Sequence, residues 1–173
     1  LAGTAVLIVT LLPYKIRRVA PACGIFVLIS LLAGLVGSMF TATSVRTWYA
    51  TLNRPALTPP GWVFGPVWTA LYIMMGIAAG LVWSKGIASP AVKAAIAAFI
   101  IQLILNALWS FLFFGLQSPL YGLIDIIALW FAIAVTIFLF RRVDLYAALL
   151  LVPYLLWVTF ATFLNIRIWQ LNP

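Results

Sequence analysis

Tryptophans and a few amide side chains inside apolar segments are the residues of this 173-residue sequence with the clearest chemical potential. Trp68, Trp109, Trp130 and Trp157 fall well inside such segments. Asn106 precedes Trp109 by three residues, which places both on one face of a helix. Indole is a large flat ring whose N–H needs a hydrogen-bond partner when it is buried. The pattern predicts a cavity lined by indoles and amides; lipid-facing filler is the alternative for any single tryptophan.

The remaining side chains exclude several classes of enzyme. The chain has no His, one Cys (Cys23) and two carboxylates, Asp125 and Asp144. A serine or cysteine nucleophile would lack its histidine base, and a His/Cys zinc site would lack its ligands. We therefore predict no metal site. We expect Asp125 to form a structural ion pair with an arginine at its end of the bundle, because an unpaired carboxylate in hydrocarbon is costly.

Composition places the chain in a membrane. Hydrophobic residues make up 66% of it and charged residues 7%, against about 45–50% and about 25% in soluble domains. A helix of about 20 apolar residues crosses a bilayer, and the apolar runs predict an all-α integral membrane bundle of five transmembrane helices. The predicted spans are 22–42, 63–84, 90–114, 119–140 and 144–168, with Pro153 bending the last.

Residues 1–21 are predicted to form an apolar and basic extension that precedes the five-span domain at 22–173. The apolar residues 1–12 are too few to cross a bilayer unaided. A truncated upstream span is the favoured interpretation. An interfacial segment and the core of a signal peptide are the alternatives, although a signal peptide would carry its basic residues before the apolar run.

Basic residues give the chain a formal net charge of +8 and indicate its orientation. Seven of the ten lie on the side where the first span begins (side A), and Arg46, Arg54 and Arg167 lie on the other (side B). Because Lys and Arg mark the cytoplasmic side, we predict a bacterial inner-membrane protein with the loop 43–62 and the C-terminus on the non-cytoplasmic side. Since these charges lie in short loops between spans, we expect no nucleic-acid partner.

The loop 43–62 and the glycines of the second span predict how the bundle is covered and packed. Pro55, Pro59 and Pro60 stiffen the loop, which we expect to cover a side-B cavity as a lid; an interfacial anchor is the alternative. Gly76 and Gly80 form a GxxxG pattern that lets helices approach closely, within one chain or between two. A homodimer is therefore also predicted.

Three stretches of the chain carry long motifs with fixed spacing. The first runs from Trp48-Tyr49 through Leu52, Pro55, Pro59-Pro60, Trp62, Phe64, Pro66 and Trp68 to Leu71-Tyr72. The others are Asn106-Ala-Leu-Trp109-Ser with Phe113-Phe114-Gly115, and Pro153-Tyr154 with Trp157, Phe160-Ala161-Thr162 and Asn165. These stretches resemble the TspO/MBR family, the tryptophan-rich sensory proteins of bacteria and the related mitochondrial translocator protein or peripheral benzodiazepine receptor. The resemblance covers about residues 22–170.

The resemblance implies a five-helix bundle, often a homodimer, whose pocket beneath the first loop binds protoporphyrin or haem as a ligand and requires no cofactor. The residues that match the family's pocket are Trp48, Tyr49, Trp68, Asn106, Trp109, Trp157 and Ala161. Trp68 and Trp157 match indoles implicated in porphyrin breakdown, and they would be catalytic only if that reaction occurs. The last-span sterol motif of animal relatives lacks its Tyr here, in Leu164-Asn165-Ile166-Arg167.

We therefore predict a membrane-embedded binding and sensory protein for tetrapyrroles rather than an enzyme. Indole faces stack on a flat macrocycle, and Arg46 or Arg54 at the rim could meet its carboxylates. A light-dependent porphyrin-degrading enzyme is one alternative, because an indole can donate an electron to an excited porphyrin without an acid–base pair. A transporter of porphyrins or lipids is the other, although the sequence has no visible inverted repeat.

Overall fold

The computed structural model describes residues 14–173, with side chains from residue 19 onwards. The span predicted at residues 1–12 lies outside this range. The helices within the range are α1 (Tyr14–Ser44), α2 (Trp48–Thr51), α3 (Gly61–Trp83), α4 (Pro90–Ser110), α5 (Pro119–Arg141), α6 (Leu145–Leu150) and α7 (Val152–Leu171). A π-helical turn, Phe111–Gly115, extends α4.

Five stretches of the described chain are long and apolar enough to cross a bilayer: Val19–Ser44, Gly61–Trp83, Pro90–Gly115, Pro119–Arg141 and Leu145–Leu171. They confirm the all-α fold and the five predicted spans, and each end lies within about three residues of its predicted position. Pro90 and Pro119 stand in the first turn of α4 and α5, where a missing N–H has no helical partner to lose.

The fifth span is interrupted, as the proline within it predicts. α6 ends at Leu150, α7 begins at Val152, and Pro153 occupies the first turn of α7. The break therefore comes just before the proline, because in a continuous helix its ring would clash with the carbonyl four residues earlier. The Leu151 carbonyl still accepts a hydrogen bond from the Leu155 N–H at 3.1 Å, so the two segments remain one span.

The most extensive helix contact joins α1 to α3 and depends on glycine. A Cβ atom on Gly76 would overlap the backbone of Val27, and one on Gly80 would overlap the backbone of Cys23. The GxxxG pattern is therefore used within the chain, where it lets the two backbones touch.

Large apolar side chains also cover the outside of the bundle, as contact with lipid requires. α1 alone presents Ile25, Leu28, Leu35 and Met39, all more than half exposed. Since the core and the outer surface are both apolar, the polar side chains identify the interior. The buried polar residues of the described chain are Ser30, Ser44, Gln102, Asn106, Asp125, Thr136 and Asn165.

The two carboxylates have contrasting surroundings. Asp144 lies at side A, where its Oδ2 is 2.8 Å from the Nζ of Lys85 and its side chain accepts the Ala147 N–H at the start of α6. Asp125 is 5% exposed on α5, and its Oδ2 has no hydrogen-bond partner in the described part of the chain. The predicted ion pair of Asp125 is wrong, because no arginine of the described residues, Arg46 included, lies within ion-pair distance of it. Arg54 lies over Tyr49, and Arg167 donates to Gln170.

Candidate ligand-binding site

Asn106 joins three helices near the middle of the bundle. Its Oδ1 accepts a hydrogen bond from the Tyr72 hydroxyl on α3 at 2.5 Å, and its Nδ2 donates to the Tyr154 hydroxyl on α7 at 2.9 Å. Asn106 is 4% exposed and Tyr154 is fully buried. Both polar ends of the amide are thus engaged in hydrogen bonds between helices.

A second polar link lies nearer side B, between α4, α7 and the start of α5. The indole Nε1 of Trp109 donates to Asn165 Oδ1 at 3.1 Å. Asn165 Nδ2 donates in turn to the Pro119 carbonyl at 2.8 Å. Trp109 is therefore an inward-facing and hydrogen-bonded indole, as its position inside the span predicts.

Trp68 and Trp157 bring aromatic faces into the space between α3 and α7. Trp68 stacks on Tyr72, with ring centroids 5.6 Å apart, and meets Tyr154 edge-on at 6.2 Å. Trp157 meets Phe64 edge-on at 5.9 Å. The Nε1 of Trp157 is buried and has no hydrogen-bond partner in the described part of the chain. A buried indole N–H without an acceptor is costly, and an acceptor on a bound ligand would complete its hydrogen bonding.

The predicted loop residues pack on a different part of the bundle. Trp48 and Tyr49 on α2 lie against Phe113 of the π turn, with ring centroids 5.6 Å and 6.2 Å apart. Trp109 stacks on the same ring at 5.0 Å. Burial raises the pKa of Tyr49, and the Arg54 guanidinium, 5.5 Å above its ring, opposes that shift. The π turn thus provides the platform on which the beginning of the loop rests.

The structure therefore divides the seven predicted site residues between two clusters. We call them the interior cluster, made of Trp68, Asn106, Trp157 and Ala161 with Phe64, Tyr72 and Tyr154, and the loop cluster, made of Trp48, Tyr49, Phe113 and Phe114. Trp109 packs against both. Sequence reasoning missed Tyr72 and Tyr154, although Tyr72 follows Trp68 by four residues and Tyr154 precedes Trp157 by three, spacings that share a helix face.

An open groove lies in the loop between α2 and α3. Its volume is about 490 Å³. The residues that line it are Leu52, Asn53, Arg54, Pro55, Thr58, Pro59, Pro60 and Gly61. None of the predicted pocket residues is among them, so the groove lies within the cover rather than beneath it. Gly61, at one end of the groove, is three residues from Phe64, whose ring contacts Trp157.

The loop is fastened to the end of α7. The Asn53 backbone N–H donates to Asn172 Oδ1, and Asn172 Nδ2 donates to the Asn53 carbonyl, both at 3.0 Å. A further bond of 2.8 Å joins Asn172 Nδ2 to the Ile168 carbonyl. We call this arrangement the Asn53–Asn172 clasp; it joins the loop to the end of α7.

The other tryptophans lie outside both clusters. Trp130 donates from Nε1 to the Thr159 hydroxyl at 2.8 Å on the outer side of α5 and α7. Trp62 is 76% exposed, and Trp83 and Trp169 are also exposed near span ends, as in an interfacial aromatic belt. No three His, Cys, Asp or Glu side chains come together as a metal site in the described residues.

Comparison with known proteins agrees with this architecture. Residues 26–170 match the TspO/MBR family. The chain is 50% identical to a protein named tryptophan-rich protein TspO of Chlorobaculum tepidum over 143 residues, which cover 83% of this chain and 90% of that protein. It is also 50% identical to a protein of the same name from Archaeoglobus fulgidus, over 84% of this chain and 94% of that protein.

A more distant relative comes from animals. The human translocator protein is 40% identical over 154 residues, which cover 88% of this chain and 90% of the human protein. The family match at residues 26–170 covers most of the first span, the other spans almost completely and the loop between the first two, so the interior and loop clusters lie inside it. With five apolar spans and a family match over most of its length, this multi-pass integral membrane protein belongs to the TspO/MBR family.

Proposed function

We propose that this protein is a membrane-embedded sensory protein that binds tetrapyrroles of the protoporphyrin type in the interior cluster, beneath the loop 43–62. The observation that carries the proposal is the buried Nε1 of Trp157, which has no partner in the described residues although the neighbouring polar groups of Asn106 and Trp109 are bonded. An acceptor on a bound ligand would satisfy it. The flat faces of Trp157, Phe64 and Trp68 suit a macrocycle, because aromatic rings favour offset-stacked or edge-on contact.

Arg54 supports the same ligand class. It lines the groove in the loop and is held over Tyr49 of the loop cluster. Guanidinium groups bind carboxylates with paired, charge-assisted hydrogen bonds. A tetrapyrrole carries such carboxylates on one edge, and the opposite apolar edge would enter between α3 and α7. Because the chain has no His, we expect metal-free protoporphyrin to bind at least as well as haem.

A fluorescence titration with protoporphyrin tests the proposal. We expect the Trp157→Phe and Trp68→Phe variants to bind about tenfold more weakly than the unaltered chain, through the lost stacking area and, for Trp157, the lost N–H. Trp130→Phe is the matched control, because its indole is bonded to Thr159 away from the cluster, and its affinity should not change. Equal weakening in all three variants, or in none, would contradict the proposed site.

Illumination separates binding from breakdown. We expect bound protoporphyrin to bleach at the same rate in the unaltered chain and in Trp157→Phe when both are saturated and oxygen is excluded. Bleaching that requires Trp157 would instead identify a light-dependent porphyrin-degrading enzyme. Flux of protoporphyrin across proteoliposomes would identify a transporter.

The names of the relatives fit a sensory or translocating role in a membrane. The Cereibacter sphaeroides relative, 38% identical over 125 residues, is named a tryptophan-rich sensory protein. The orientation with the loop 43–62 and C-terminus on the non-cytoplasmic side of a bacterial inner membrane, and the homodimer, are part of this proposal. A dimer would use an outer face such as that of α1, since Gly76 and Gly80 are already covered within the chain.

A further inference from the structure

The side-A end of α5 carries two exposed arginines, Arg141 and Arg142. The sequence has two carboxylate side chains, Asp125 and Asp144. Asp125 lies toward the opposite end of α5, and Asp144 is paired with Lys85 at 2.8 Å. Neither arginine lies within ion-pair distance of a carboxylate in the described part of the chain, so their counter-charge comes from another molecule.

Arg142 is two residues from Asp144 in sequence, yet its guanidinium points back along α5. Its Cζ is 4.3 Å from the centre of the Phe138 ring, and Phe138 is more than half exposed on the outer surface of the bundle. Helical side chains tilt toward the start of their helix, and a cation is attracted to the face of an aromatic ring. Arg142 therefore holds its charge against the lipid-facing side of the last turn of α5.

The depth of this guanidinium follows from the length of α5. The middle residue of the 23-residue helix is Trp130. With Trp130 at the bilayer centre, a rise of about 1.5 Å per residue places Phe138 roughly 12 Å and Arg142 roughly 18 Å from that centre. Half of the hydrocarbon layer is about 15 Å thick. The Arg142 backbone thus lies just outside the hydrocarbon, and its guanidinium, folded back over Phe138, lies at the boundary where phospholipid phosphates begin.

An apolar stripe leads from this guanidinium toward the bilayer centre. Phe131, Val135 and Phe138 are each more than half exposed. Together with Arg142 they are spaced four, three and four residues apart, so they share one face of the helix. This face offers an acyl chain an apolar surface that ends in a cation.

We propose that the end of this stripe, which we call the Arg142 site, binds an anionic phospholipid, one whose phosphate has no ammonium group beside it. The phosphate accepts charge-assisted hydrogen bonds from the guanidinium, and Arg141 adds a second positive charge next to it. An acyl chain lies along Phe138, Val135 and Phe131. The site shares no residue with the interior cluster or the loop cluster, and it lies on the other side of the membrane from the loop.

The depth of the guanidinium favours a lipid over a soluble partner. An acidic protein segment or a free phosphate ion would have to leave water to reach the level of Phe138, and desolvating such charges is costly. A phospholipid phosphate already lies at that level. A zwitterionic lipid carries its own ammonium group, which competes with Arg142 for the phosphate. One basic residue near the membrane surface favours anionic lipid about fivefold.

Photolabelling of the full chain in phosphatidylcholine nanodiscs tests the Arg142 site. Two probes carry the same diazirine in an acyl chain, one on a phosphatidylglycerol and one on a phosphatidylcholine. The readout is the ratio of phosphatidylglycerol to phosphatidylcholine labelling on residues 131–138. We expect this ratio to be about fivefold higher there than on the exposed residues Ile124 and Ile127, which lie on the same helix nearer side B.

Three variants make the result specific. Arg142→Gln should lower the ratio on residues 131–138 about fivefold. Phe138→Leu keeps an apolar side chain but removes the ring beneath the guanidinium, and it should lower the ratio about twofold. Lys93→Gln is the matched control, because Lys93 is an exposed cation in the first turn of α4 on the same side of the membrane; it should leave the ratio unchanged.

The proposal is overturned if Arg142→Gln keeps the ratio of the unaltered chain, or if Lys93→Gln lowers it as much. Either result would indicate only a general attraction between basic residues and anionic lipid. It is also overturned if inorganic phosphate or polyglutamate, added at constant ionic strength, abolishes the preference, because Arg142 would then serve a soluble partner. Since Arg142 and Phe138 are exposed, thermal unfolding of their variants should match that of the unaltered chain.

Discussion

Toward side A the bundle packs through backbone contact at glycines and through apolar side chains, among them the rings of Phe26, Phe99 and Phe140. From its middle toward side B, amide, hydroxyl and indole groups form hydrogen bonds between the helices. In the first region Gly76 and Gly80 let α3 touch the backbone of α1, and Ala78, Ala79 and Val82 of the same helix are fully buried. In the second region Asn106 and Asn165 bind hydroxyl, indole and carbonyl groups on neighbouring helices.

The contrast shows which region has capacity for a ligand. Backbone contact between two helices at Gly76 and Gly80 leaves no room for a ligand, so the side-A region is a structural seam. The aromatic region is held by directional bonds, and one of its donors, the Trp157 N–H, has no acceptor in the described chain. Exposure to lipid does not explain why this N–H lacks an acceptor, because the Nε1 atom itself is buried.

The largest loss of stability is expected when the close contact between α1 and α3, the side-A seam, is disrupted. Gly76→Ala places a methyl group on the backbone of Val27, and separating the helices should cost about 3 kcal/mol of unfolding free energy. Gly65→Ala is the control on the same helix, since nothing lies within 4 Å of its new Cβ. Thermal unfolding in detergent should show a large loss for the first variant and none for the second. Equal stability of the two would mean that α1 and α3 do not depend on contact at this glycine.

A smaller loss is expected when the polar centre is broken. Asn106→Leu removes the partner of both Tyr72 and Tyr154 and should cost about 1–2 kcal/mol, since interhelical bonds in membranes average well under 2 kcal/mol each. Thr136→Val is the comparison, because the buried Thr136 hydroxyl bonds only to the carbonyl of Ala132 in its own helix. The same unfolding measurement applies, and a larger loss in Thr136→Val would contradict the cross-linking role of Asn106.

Low pH should destabilise the side-A end of the bundle, because Asp144 becomes protonated. Burial would raise the pKa of Asp144, but the hydrogen bond from Lys85, the Ala147 N–H and the Lys85 charge together hold it below its usual value. Because the folded pKa lies below the unfolded one of about 3.9, this stabilisation is complete above about pH 4 and disappears as the pH falls through the folded pKa.

The size of that acid effect is modest, about 1 kcal/mol or less, because the Lys85 side chain is 49% exposed and solvent screens the pair. Unfolding of the unaltered chain and of Asp144→Asn, followed from pH 6 to pH 3, would show the difference between them shrink. A difference that grows as the pH falls would contradict the assigned sign.

The smallest loss of stability is expected when the Asn53–Asn172 clasp, which joins the loop to α7, is removed. Asn172→Ala removes the two bonds that hold Asn53 and should cost about 1 kcal/mol or less at this exposed site. Hydrogen exchange at the Asn53 amide should quicken, while Gln170→Ala, which removes only the surface bond from Arg167, should leave it unchanged. Slow exchange in both variants would mean that the clasp does not hold the loop.

The spans could be predicted from the sequence because long apolar runs ending at prolines and basic residues have few alternatives in a bilayer. The side of each span that faces the interior could not be predicted, since core and lipid-facing side chains are equally apolar. Only residues such as Asn106 and Trp109 indicated the interior. The π turn at Phe111–Gly115 left no signal in an apolar run, yet it decides where Trp48 and Tyr49 pack.

The partners of buried polar side chains also could not be predicted from the sequence. The ion pair expected of Asp125 required an arginine to reach it, and the positions of Arg46 and Arg54 depend on a loop whose path follows from tertiary contacts such as the clasp. The sequence likewise predicted buried indoles but could not tell that Trp109 finds Asn165 while Trp157 finds no acceptor in the described chain.

The most direct test of the ligand-binding role of the aromatic region is the indole ¹⁵N–¹H resonance of Trp157, recorded while protoporphyrin is added. Binding should move this resonance downfield as the N–H gains an acceptor, while the resonance of Trp130, already bonded to Thr159, stays in place. A Trp157 resonance that does not move at saturating protoporphyrin, or that moves no more than those of Trp130 and the exposed Trp62, would contradict the account.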